Sequence, residues 1–102
     1  MGASYAREKL DGAVHAMAVG TGSIQERLLS AFLSMSALSV DDFQGERLEE
    51  WNSIYSRATA REAGGDEGSY QATLLKMTES EAVALARDIC ELEAMMDIHR
   101  DT

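Results

Sequence analysis

Apolar residues recur at intervals of three and four along four stretches of this chain, the spacing of a stripe down one face of an α-helix. In the first stretch the stripe is Ala6, Leu10, Ala13 and Met17, with Val14 beside it. Ser4 stands where an N-cap belongs, and Gly20 supplies the stop. The second stretch opens with Ser23 and Glu26, the S-x-x-E of a capping box, and runs through Ile24, Leu28, Ala31, Met35 and Leu38. Leu29, Phe32 and Leu33 flank that stripe, so more than half the circumference is apolar and the helix is expected at the centre of the fold. The third stripe is Leu48, Trp51, Tyr55 and Ala58. The fourth starts at a second capping box, Thr78 and Glu81, and keeps a 4, 3 spacing through Ala82, Leu85, Ile89, Leu92, Met96 and His99.

The breaks between stripes are equally legible. "GTGSIQE" is a junction, best read as the turn of an αα-hairpin. A short break is expected near residues 37–41, where Ser39, Asp41 or Asp42 can cap a helix, and Gly45 should weaken the turn that follows. "REAGGDEGS" has adjacent glycines and no apolar anchor, so a mobile loop is expected at about 61–69. After it, "YQATLLKM", capped by Ser69, has length for an extra helical turn or two near 70–76. The chain contains no proline and few β-branched residues, which favours helix over sheet. The expected fold is all-α: four main helices with antiparallel neighbours, in one domain over residues 1–102. Its expected core includes Leu10, Met17, Leu28, Phe32, Leu48, Trp51, Leu85 and Ile89.

Charge narrows the function. The formal net charge is −9 and no basic run exists, so direct binding of nucleic-acid phosphates is disfavoured. No apolar run approaches a membrane span, and no basic segment leads into an apolar one at the start, so neither a membrane anchor nor a signal peptide is expected. Cys90 is the only cysteine, which rules out an intrachain disulfide and a cysteine-based zinc site and suits a cytoplasmic setting.

The fourth stretch holds Cys90, His99 and several carboxylates, residue types from which sites are made. At 100° per residue, nine positions apart, Cys90 and His99 point in opposite directions, about 13 Å apart along the axis. Asp88, Glu91, Glu93 and Asp97 do not converge either. A nucleophilic Cys90 would need a cation or a helix N-terminus to stabilise its thiolate, and its neighbours are acidic. Asp11 and His15 have i, i+4 spacing, which by itself describes an exposed ion pair. "GTGS" lacks the lysine and preceding strand of a phosphate loop. No catalytic, metal-binding or cofactor-binding residue is assigned, and no cofactor is expected.

Two features bear on partners. Asp41, Asp42, Glu46, Glu49 and Glu50, against Arg47 alone, form an acidic group able to dock a basic surface. A second acidic group, Glu79, Glu81, Asp88, Glu91 and Glu93, lies in the last helix. That helix is the longest, and its apolar end (Leu92, Met95, Met96 and His99) is expected to outrun its cover and join two copies as a homodimer; the alternative is a monomer in which the third helix covers the strip.

"REKLDGAVHAMAVGTGSIQERLLSA" and the later "DDFQGERLEEW" resemble short bacterial reading frames of uncharacterised function, some carried on mobile elements or gene cassettes. The resemblance covers the first half of the chain. It implies a bacterial, cytoplasmic protein and assigns a role to no residue. The favoured function is a small, non-enzymatic helical interaction or regulatory module that self-associates. An acidic inhibitor or nucleic-acid mimic docking a basic partner comes second. An enzyme with a site built across a dimer from His15, Cys90 or His99 comes third.

Overall fold

The structure, a computed structural model, describes residues 3–60 and 69–100, with side chains described over 4–60 and 70–96. Among these residues the helices are α1 (Ala3–Val19), α2 (Ile24–Ser34), α3 (Glu46–Ala58), α4 (Ser69–Leu74) and α5 (Glu79–Arg100), with a 3-10 turn at Val40–Asp42 and no strand. This is the expected all-α bundle, the four longer helices being the expected ones and α4 the short addition. The loop expected at about 61–69 falls, up to residue 68, outside the described residues. The packing is α1 against α2 and α5, α2 and α3 against α5, and α4 across α2 and α3.

Helix boundaries follow local chemistry. The α1–α2 junction is a turn in which Gly22 has φ 92°. That conformation favours glycine, and a Cβ there would also stand 2.5 Å from Oε1 of Glu26 and push that carboxylate aside. Ser23 caps α2 as expected: its Oγ accepts from the Glu26 amide, and Glu26 Oε1 accepts from the Ser23 amide at 2.9 Å. Arg27 reaches back to donate through Nη1 to the Met17 carbonyl, placing a cation at the C-terminus of α1. The Thr78–Glu81 box opens α5 with the same two bonds.

Several boundaries and positions differ from expectation. Ser4 lies within α1, which already includes Ala3, and Ser69 is the first residue of α4 and not its cap. Helix α2 ends at Ser34, short of Leu38, because the chain tightens there. The Ser36 amide donates to Leu33 and the Leu38 amide to Met35, i→i+3 bonds in place of α-helical ones. Met35 and Leu38 are buried nonetheless, since the turn wraps the same core. Ser39 caps the 3-10 turn, with Asp42 closing its box. Gly45 is the N-cap of α3, at φ 60°, instead of a weak point within its first turn. In α3 the buried residues are Trp51, Ile54 and Ala58, while Tyr55 is 45% exposed and Leu48 only half-buried. The seam therefore runs one position earlier than the stripe through Tyr55 implies.

The core collects Ala6, Leu10, Ala13 and Met17 of α1 with Leu28, Ala31 and Phe32 of α2. From α5 it takes Ala82, Leu85, Ile89, Leu92 and Met96, the expected stripe up to its last member. Helix α2 packs on three neighbours yet is not enclosed, since Leu33 is 64% exposed. Of the aromatics, Phe43, Trp51, Tyr55, Tyr70 and Phe32 form a continuous series of ring contacts, with centroids 4.9–6.2 Å apart. They come from α2, the end of the 3-10 turn, α3 and α4.

Candidate functional site

The residue types of ordinary active sites are dispersed. Cys90 is exposed on α5, and its thiol is pushed up from the usual range by partial burial, then by the carboxylates of Glu93 and Glu91. His15 is exposed on α1, and its expected ion-pair partner Asp11 lies instead 3.9 Å from Arg7, one turn back. His99 lies in the last turn of α5, and its side chain is outside the described ones. Among the described residues no group of three or more His, Cys, Asp or Glu side chains could hold a metal ion. No helix among them is long and apolar enough to cross a membrane.

The apolar end of α5 is covered by its own chain. Leu92 is 0% and Met96 3% exposed, and Met95 is half-buried against the same core. The uncovered strip expected from the length of α5 is therefore absent as far as Met96, where its apolar residues join the common core. Leu92 and Met96 thus present almost no apolar surface to a second copy, and the expectation for His99 falls outside the described side chains.

The acidic candidates sit together on the 3-10 turn and the first turns of α3. Asp41, Glu46 and Glu49 are exposed, and Asp42 and Glu50 half-buried. Asp42 is committed to the Ser39 amide, so it is partly structural. Arg47 lines a depression of about 540 Å³ together with Glu46 of that acidic group and with Gln44 and Met95. Two of the five acids of the second group have structural partners. Glu81 caps α5, and Asp88 accepts from Arg57 Nη2 at 2.6 Å, tying α3 to α5.

What the sequence did not reveal is an exposed apolar face between α2, α3 and α4. One depression of about 570 Å³ is lined by Leu29, Leu33 and Ser36 on one side and by Tyr55, Thr59 and Tyr70 on the other. A second, of about 270 Å³, adjoins it across Tyr55 and is lined by Leu38, Val40, Trp51 and Asn52 among others. Leu33, Val40 (52% exposed) and Tyr55 present large apolar surface to solvent beside these hollows. Burial, and then Tyr55 next to it, pushes the Tyr70 phenol above its usual range. The signal that could have located this face is the excess of apolar positions on α2. A one-sided helix needs only one stripe, and Leu29 and Leu33 are surplus to it.

Compared with known protein families, with curated proteins and with solved structures, the chain matches none.

Proposed function

We propose that this chain is a non-enzymatic helical interaction module that works by docking another protein chain. The observation that carries the reading is the exposure of Leu33, Val40 and Tyr55 beside two adjoining hollows on one face. Large apolar side chains held together in water are costly, and such groups mark interaction surfaces more often than chance positions. An interacting chain covers them and recovers that cost.

The compartment follows from the resemblance to short bacterial reading frames, some on mobile elements, and from the single cysteine: a bacterial cytoplasm. A homodimer is one form of this reading, now through the Leu33 and Tyr55 face in place of Leu92, Met95, Met96 and His99. A nucleic-acid mimic would rest on charge alone and leaves the apolar face without a use. An enzyme assembled across a dimer is the weakest form, since its nucleophile would be a thiol raised by burial and by Glu93 and Glu91.

The test compares the wild-type chain with a Leu33→Asp, Tyr55→Ser double variant. By light scattering of the pure chain and by cross-linking in its host, the wild type is expected to form a defined complex, with itself or with another protein. The variant should lose that complex while keeping its circular dichroism spectrum. Wild-type chain that stays alone in both settings, or complexes indifferent to the variant, would overturn the proposal.

A further inference from the structure

We draw no further inference here: the strongest candidate, the hollow at the start of α3 where Nε of Arg47 is buried without a hydrogen-bond partner, rests on a helix N-terminus whose cation is only half-buried and stands beside the exposed Glu46, with no second feature among the described residues that points to a ligand.

Discussion

Phe32 lies wholly inside, its ring 4.9 Å from that of Tyr70, whereas the adjacent Leu33 keeps 64% of its surface in solvent. Truncating each to alanine separates core from surface. Phe32→Ala removes a buried ring and leaves a void, which should cost about 3–5 kcal/mol. Leu33→Ala should change stability by less than about 0.5 kcal/mol. Urea unfolding of the two variants checks the contrast, and near-equal losses would mean that α2 is rotated from the position described. Tyr70 gives a pH test at the same scale. Its phenol is raised by burial first and by Tyr55 second, so the unfolded chain gives up the proton at lower pH than the folded one. Above the ordinary phenol range the unfolded state then binds fewer protons, and stability must fall as pH rises. The contribution is intact below the unfolded value of 10.0 and is lost as pH climbs through the raised one. Tyr70→Phe should flatten that alkaline decline in thermal melts between about pH 9 and 11. An unchanged decline would assign it to other groups.

At the scale of elements, capping does most to fix where helices begin. Ser23→Ala and Thr78→Ala each delete the oxygen that accepts from the amide three residues on, at 3.1 Å in both cases. Each should cost about 1 kcal/mol, measured by chemical denaturation. A negligible loss at Thr78 would mean that α5 is positioned by packing alone. Both helix starts were readable in the sequence because S-x-x-E and T-x-x-E are local patterns with one geometric solution. The end of α2 was not. The apolar spacing continues through Met35 and Leu38, and a tightened turn can present those residues to the core as well as a helix can. Ser39 and Asp42 form a box like the others, yet it opens only a single 3-10 turn, because the chain is already extended at Phe43; Gly45, at positive φ, then caps α3. Periodicity in α3 misled in a different way. Tyr55 and Ile54 are both apolar enough to extend the stripe from Trp51, and only the tertiary partners decide between them. Ile54 goes inside, and Tyr55 stays at the rim against Tyr70, at a centroid distance of 6.2 Å. The candidate site was hidden for this reason. Its walls come from α2, α3 and α4, and no local pattern says that Leu33, Tyr55 and Tyr70 meet.

For the whole molecule, the question is which apolar residues are surface and which are interior, since association and folding draw on the same side chains. The 22-residue α5 is the longest described helix, at about 33 Å. Length alone suggested a free end, but Leu92 and Met96 are buried within one chain. The two alternatives make opposite predictions for Leu92→Glu with Met96→Glu. On a dimer seam the substitutions would halve the mass and preserve the helices. In the core they force two carboxylates into an apolar interior, beside acids at Glu91 and Glu93 and in a chain already at −9. Each buried, unpaired charge should cost on the order of 4 kcal/mol, and a domain of this size has about 5–15 kcal/mol in total. The expected outcome is therefore a collapse of the helical circular dichroism signal, or cooperative unfolding at greatly reduced urea concentration. Leu33→Asp, by contrast, should alter association alone. A double variant of Leu92 and Met96 that stays folded and merely changes mass in light scattering would return the interface to the end of α5.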